Sequence, residues 1–321
     1  MPALNQPHFQ DPDKARAYLE AIQWPNGPVC PHCGVIGGHY ALQGKAHRPG
    51  LWKCKDCREQ FTVTVGTVFE RSKIKLNVWL QAVYLLCSSK KGMSSHQLHR
   101  VLGVTYKTAW FMSHRIREAF RDANPGALGG AGGPVEVDET YYGASKRSRI
   151  LKRAGQPKRQ GTGGAHLRRI VSLVDREGKA RSFHIASIDA KNLKPILLNH
   201  IAKQAQVYTD AAGHYRSMAL ASTFAGHETV NHSAGEYARG KVHTNTVEGY
   251  FGLLKRGLYG TYHHVSDAHL QRYIHEFDFR FTNRSAAGVE DQARAIKALG
   301  QIQGKRLTYR RTVRQQAPEA N

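Results

Sequence analysis

The 321-residue chain carries 47 Lys and Arg against 24 Asp and Glu, a formal net charge of +23. An apolar content of 40% excludes a globally disordered chain, and the charge points to a polyanionic partner, most simply nucleic acid. No run of about 18 apolar residues occurs, and the opening MPALNQPHFQDPDK lacks an apolar signal core, so the sequence predicts a soluble intracellular protein without a membrane span.

Residues 12–22 predict a short helix, ended by Pro25 and Gly27. Cys30, Cys33, Cys54 and Cys57 follow as CPHC and CKDC, with twenty residues between the pairs. Two such turns can aim four thiolates at one tetrahedral Zn²⁺, whose binding supplies folding energy to a segment too small to fold alone. The other reading is chance or redox pairing; in either case a ribbon leaves function open. Cys87 lies on an apolar stripe and reads as core. QFTVTVGTVF (60–69) alternates like a strand. Three helices are expected over 75–126, the first from Leu76, Trp79, Leu80, Val83 and Leu86. Ser94 or Ser95 caps the second, and Gly103 stops it. A short helix, a tight turn and a basic aromatic helix make a helix-turn-helix pattern. Lys107, His114, Arg115 and Arg117 are its exposed candidates for a DNA groove, with Trp110, Phe111 and Ile116 as core.

Residues 122–134 hold five glycines and two prolines and read as a linker. VEVDETYYG then predicts a strand with Val135 and Val137 on one face and Glu136, Asp138 and Thr140 on the other. A mid-strand acid is costly without a partner or a task, which favours Asp138, with Glu136 as the rival. Residues 146–169 carry nine Lys and Arg and no acid. All nine, Lys146, Arg147, Arg149, Lys152, Arg153, Lys158, Arg159, Arg168 and Arg169, are candidates for phosphate contacts, or form a solvated loop. A hairpin turning at Asp175 to Lys179 and a helix at NLKPILLNHIA follow. Asp210 sits just past an apolar strand, as a site acid or an ordinary turn residue. Glu248 lies early in a helix, with Lys255 seven residues on, along the same face, and Arg256 beside it. A surface Glu favoured by the helix dipole is the alternative. His243, His263 and His264 flank this helix and are structural, or touch a polyanion or a metal-bound water.

Asp138, Asp210 and Glu248 are 72 and 38 residues apart. With CPHCG…WKCKDCREQFTVTVGTVFE, VEVDETYYG, VYTDAAGHY and HTNTVEGYFGLLKRGLYGTYHHVS, the chain closely resembles the DDE transposases of bacterial insertion sequences, more narrowly the ISXO2-like branch, the IS1595 family. The resemblance covers nearly the whole chain. It implies an α/β ribonuclease-H-like catalytic domain, a mixed five-stranded sheet with flanking helices, preceded by a zinc ribbon and a helical segment. The division expected is 1–70 with the ribbon, 71–126 helical, 127–134 linker, 135–285 catalytic and 286–321 a basic tail.

The resemblance also implies the chemistry. The protein would bind the terminal inverted repeats of its element, hydrolyse a phosphodiester at an end, and join the 3′-hydroxyl to a target strand. Asp138, Asp210 and Glu248 would hold Mg²⁺ or Mn²⁺, and Lys255 would contact the scissile region. Double-stranded DNA, both element end and target, is the implied partner. At least a dimer on DNA and a cytoplasmic, nucleoid-associated location follow. A nuclease of this fold without strand transfer, a zinc-ribbon regulator and a structural basic protein are the competing readings.

Overall fold

The computed structural model describes residues 3–144 and 167–308. Lys146, Arg147, Arg149, Lys152, Arg153, Lys158 and Arg159 therefore lie outside the described residues. The chain forms two compact units, the described parts of Met1–Ser89, Met93–Phe120 and Asp291–Asn321, and of Lys90–Gly92 and Arg121–Glu290.

In the first unit, α1 (Pro12–Gln23) starts where Asp11 accepts from the N–H groups of Asp13 and Lys14, at 2.8 Å each. The ribbon is an antiparallel sheet of β1 (His39–Ala41), β2 (Trp52–Cys54) and β3 (Gln60–Phe61). The strand expected over 60–69 stops at Phe61, because the chain turns there. Val65 N–H donates to the Thr62 carbonyl at 3.0 Å, and Gly66 takes φ +73°. The three expected helices are α2 (Leu76–Ser88), α3 (Ser95–Leu102) and α4 (Tyr106–Phe120). The Ser94 hydroxyl caps α3 by accepting from Gln97 N–H, and Gly103, at φ +64°, ends it. Cys87 is buried on the α2 stripe.

Two of the expected DNA contacts on α4 are corrected here. Arg115 is 5% exposed and Arg117 is 1% exposed, and His114 is buried too. Arg115 donates to the Glu70 carbonyl at 2.6 Å and stacks over Trp79, while Arg117 donates to the Ser113 hydroxyl at 3.0 Å. Their long stems fill the core of this unit, so a basic helix face can be an inward face. Lys107, near the start of α4, is exposed. Within the region expected to be a tail lies α8 (Asp291–Gly300), where Arg294 donates to the Cys87 carbonyl at 2.8 Å. Further on, Gly304 N–H donates to the Gly66 carbonyl at 2.8 Å.

The second unit is built on a five-stranded sheet of order β6-β5-β4-β7-β8. Its strands are β4 (Pro134–Ala144), β5 (Leu167–Asp175), β6 (Ala180–Ile185), β7 (Gln206–Asp210) and β8 (Gly226–Val230). β4, β5 and β6 pair antiparallel, and β7 and β8 add on parallel. Helix α5 (Ala190–His200) joins β6 to β7. A short hairpin of β9 (Ala238–Arg239) and β10 (Val242–His243) leads into α6 (Asn245–Gly257), which α7 (Asp267–Thr282) follows.

Strand parity sorts the core. Val135, Val137, Val171 and Leu173 face α5 with Leu193 and Leu197. Tyr142, Ile170 and Val174 face the other way, onto Val247, Leu254, Ile274 and Phe277 of α6 and α7. A buried polar cluster pins both helices: Asp278 accepts from the Tyr250 hydroxyl at 2.6 Å and the Ser182 hydroxyl at 2.7 Å. At Gly257 an added Cβ would lie 2.2 Å from the Phe277 ring, so glycine sets how closely α6 approaches α7. The glycine-rich segment read as a linker belongs to this unit. Leu128 N–H donates to His200, and a Cβ on Gly129, at φ +69°, would lie 2.5 Å from Ala205.

The buried arginines yield a test. Arg117→Ala should lower unfolding free energy by about 2–4 kcal/mol, through lost packing and an orphaned network, whereas Lys107→Ala should stay within about 0.5 kcal/mol of the parent. Urea unfolding of both variants measures this, and equal midpoints would refute the inward assignment of Arg117.

Candidate functional site

Two separate clusters carry chemistry. The first is the cysteine quartet, whose four sulfur atoms lie within 4.8 Å of one another. Cys30 and Cys57 Sγ are 3.6 Å apart, and Cys33 and Cys54 Sγ are 3.7 Å apart. Tetrahedral zinc with bonds of about 2.3 Å requires sulfur separations of about 3.8 Å, so the donor set fits. Burial opposes ionisation of Cys30, but the backbone N–H groups of Cys33 and His32 outweigh it and bring the thiol down to about 7. The Glu59 N–H favours a Cys57 thiolate, yet burial and three neighbouring thiols push it up to about 12. Four thiolates are costly together unless a cation joins them. Among the described residues this is the one group of three or more His, Cys, Asp or Glu ligand atoms gathered so tightly.

The second cluster lies at one end of the five-stranded sheet. The β4–β7 pairing runs from Pro134↔Gln206 to Glu136↔Tyr208. Asp138 and Asp210 each lie two residues past the last pair of that ladder, and strand parity sets Asp138 on the face of Glu136, which α6 covers. Asp138 accepts from Glu139 N–H at 2.7 Å, and Asp210 from Ala212 N–H at 3.0 Å. Burial, followed by the carboxylates of Glu139, Asp210 and Glu248, pushes Asp138 up to about 7. Burial also raises Asp210, with Glu139 adding to it. Glu248, in the first turn of α6, keeps 45% of its side chain exposed. It accepts from the buried Thr244 hydroxyl at 3.2 Å and lies 3.7 Å from His232 Nε2. Lys255 and Arg256 are exposed in the last turn of the same helix.

Three neighbours escaped the sequence reading. Glu139 points to the opposite face by parity, accepts from the Tyr215 hydroxyl at 2.7 Å and lies 3.4 Å from His214 Nε2. That carboxylate raises His214 above the ordinary imidazole value. His232 and His214 both lie near enough to Asp210 to favour its charged form. Their only signal in the sequence is position, four residues after Asp210 and two after β8. The rival Glu136 is 0% exposed and holds the start of α6 and Arg176 instead of joining Asp138. His243 stands in the same group, 3.4 Å from Glu136.

A mixed five-stranded sheet covered by helices on both faces, with acids gathered at one end, is a ribonuclease-H-like domain, here in one chain with a four-cysteine ribbon. Residues 130–282 match the ISXO2-like transposase domain, and residues 10–60 match the transposase zinc-ribbon domain. Over 286 residues, 85% of this chain and 91% of the relative, the sequence is 30% identical to an "Uncharacterized protein in transposable element ISH50" of Halobacterium salinarum. The chain belongs to the ISXO2-like, or IS1595, family of transposases. No described helix is long and apolar enough to cross a membrane.

Two measurements follow. Purified protein should carry one zinc per chain by elemental analysis, and a chelator or Cys54→Ser should lower the melting temperature of the first unit; a zinc-free protein with unchanged melting would overturn the ribbon site. The second concerns pH. Asp138 folded binds its proton up to about pH 7, whereas an unfolded Asp releases it near pH 4, so the fold holds the extra proton between. Without divalent cations, stability should therefore fall as pH rises through that window and level off above it. Asp278, raised to about 6 mainly by burial, adds a slope of the same sign. Asp138→Asn should remove the part that extends to about pH 7, read from urea midpoints across the window.

Proposed function

We propose that this transposase binds the ends of its own element as double-stranded DNA, hydrolyses a phosphodiester there, and transfers the freed 3′-hydroxyl to a target strand. The observation that carries the reading is the burial of Asp138, midway along β4, within electrostatic reach of Asp210 at the end of the parallel strand β7 and of Glu248 on α6. Asp138 is buried among three acids, an arrangement that disfavours its charge unless a cation is shared. Oxygen donors of this kind suit Mg²⁺ or Mn²⁺, with Asp138, Asp210 and Glu248 as the holding residues. When bound, such ions activate an attacking oxygen and steady a leaving one.

The chain's own residues supply position and charge. Thr244 orients the Glu248 carboxylate by donating to Oε1. Lys255 and Arg256, along the exposed side of α6, contact the DNA backbone near the scissile phosphate. Lys107 and the basic residues of 146–159 add phosphate contacts that hold the duplex without reading its bases, whereas Arg168 is buried and paired with Asp267. Hydrolysis places water's oxygen on the phosphorus and releases the 3′-hydroxyl. Transfer then exchanges one phosphodiester for another, so no nucleotide cofactor is needed. Two ends must be held together, so the acting species on DNA is at least a dimer.

The test uses a labelled element end, a target plasmid and Mg²⁺. Wild-type protein should join the two. Glu248→Gln should bind the end with unchanged affinity and join it about 100-fold more slowly or worse, the scale lost with one preorganised electrostatic group. Cleavage without joining by the wild type would favour a nuclease of the same fold. Equal joining by the variant would remove Glu248 from the site.

A further inference from the structure

Glu136 lies two residues before Asp138 on the same strand face, yet it is wholly enclosed. Its Oε2 accepts from the backbone N–H of Thr246 at 2.8 Å and of Val247 at 2.9 Å. Its Oε1 accepts from the Thr246 hydroxyl at 2.8 Å and pairs with Arg176 Nε at 2.8 Å. Thr246 and Val247 are the second and third residues of α6, whose N-cap residue Thr244 makes no side-chain cap. The capping carboxylate of α6 thus comes from strand β4, about 110 residues away in sequence. The N–H groups of Thr246 and Val247, two of the orphan donors at the start of the helix, are thus satisfied by Glu136. Arg176, on the β5–β6 turn, completes the enclosure by donating to the Lys241 carbonyl at 3.0 Å and bonding His243 Nε2 at 2.8 Å.

We infer that Glu136 is a positioning residue that locks α6 to β4 and thereby sets the separation of Glu248 from Asp138. The inference rests on the metal-holding role proposed above. Glu248 directly follows Val247, and Asp138 is one strand step beyond Glu136. The path between the two site acids therefore runs through one side chain and two hydrogen bonds. A helix moves 1.5 Å per residue along its axis and turns 100° around it, as 3.6 residues make a turn. A small slip or rotation at the start of α6 would carry Glu248 off its position, and a misplacement of about 1 Å can cost about 100-fold in a reaction. An ordinary Ser or Asp cap would satisfy the helix equally well but would leave it free to move over the sheet. A carboxylate reaching from the strand does both.

The experiment measures Mn²⁺ affinity by calorimetry on zinc-loaded protein, together with the Mg²⁺ concentration that half-saturates end cleavage. Glu136→Gln keeps the shape but places an amide NH₂ against the donors, and Thr246→Val removes one donor while leaving the helix intact. Tyr250→Phe, in the Asp278 cluster of the same unit, controls for lost stability alone. Glu136→Gln should weaken Mn²⁺ binding and raise the half-saturating Mg²⁺ by about 10-fold or more, the scale on which groups supporting metal ligands act. Thr246→Val should shift both in the same direction, and Tyr250→Phe should shift neither. If Glu136→Gln does not fold, Thr246→Val decides. Metal dependence within twofold of wild type in the folded variants would overturn the positioning role and leave Glu136 as a stability residue. If Glu248→Gln binds Mn²⁺ as tightly as wild type, the metal-holding reading itself fails, an outcome distinct from a failure of the clamp.

Discussion

The pairing of β4 on both its edges is the constraint from which the second unit follows. Antiparallel β5 holds one edge from Val135 to Ala144, and parallel β7 holds the other from Pro134 to Glu136. A slip of one residue would turn Val135 and Val137 out of their core and carry Asp138 to the α5 side. The register is thus fixed by apolar burial, and the acids inherit their positions from it. Asp138 and Asp210 come near enough for their charges to repel, which adds to the burial that raises Asp138. The fold accepts that cost at Asp138 and Asp210, which is the kind of local conflict expected of a working site.

Much of this was legible because its cause is local. Alternation in VEVDETYY assigned Asp138 to the face opposite Val135 and Val137, and the turn residues at 175–179 marked the hairpin. Helix α6 begins at Asn245, close to where Thr244, Asn245 and Thr246 announce it. What remained hidden depends on residues far away in the chain. The strand expected beyond Phe61 alternates well, but alternation carries no information about a turn that buries Phe61 beside Cys30 and Cys54. The glycines of 126–133 suggest freedom, whereas Gly129 is small because Ala205 and Val135 lie against it. His214, His232 and Glu139 could be connected to Asp210 only after β7, β8 and the turn that follows β7 had been brought together.

Formal charge misleads for a related reason. Arg115, Arg117, Arg294 and Lys305 are all buried within the first unit. Arg115, Arg294 and Lys305 donate to backbone carbonyls, of Glu70, Cys87 and Ala119 respectively. Cys87 and Ala119 lie in the last turns of α2 and α4 and Glu70 in a turn, where carbonyls lack a helical partner, and a long cationic side chain can reach them while its stem packs. Part of the excess of basic residues therefore fastens this unit together. The part available to a polyanion is smaller than +23 implies. It includes Lys107, Lys255 and Arg256, which remain at the surface.

Glu136 and Asp138 show how the same chemistry on the same strand face takes opposite roles. Glu136 receives two backbone N–H groups at a helix start, a hydroxyl and a guanidinium. Every one of these favours negative charge, and together they compensate for removing a carboxylate from water. Asp138 receives one backbone N–H, and its other near neighbours of consequence are acids. The difference is one of donor count, set by what α6 presents along its length. The amides of Thr246 and Val247 meet the strand at Glu136, and the next residue of the helix is Glu248. A buried carboxylate with all its acceptor sites filled from within the chain has no capacity left for a ligand. One that is buried and short of donors can be relieved by a cation, and that separates the candidate metal holder from its rival two residues earlier.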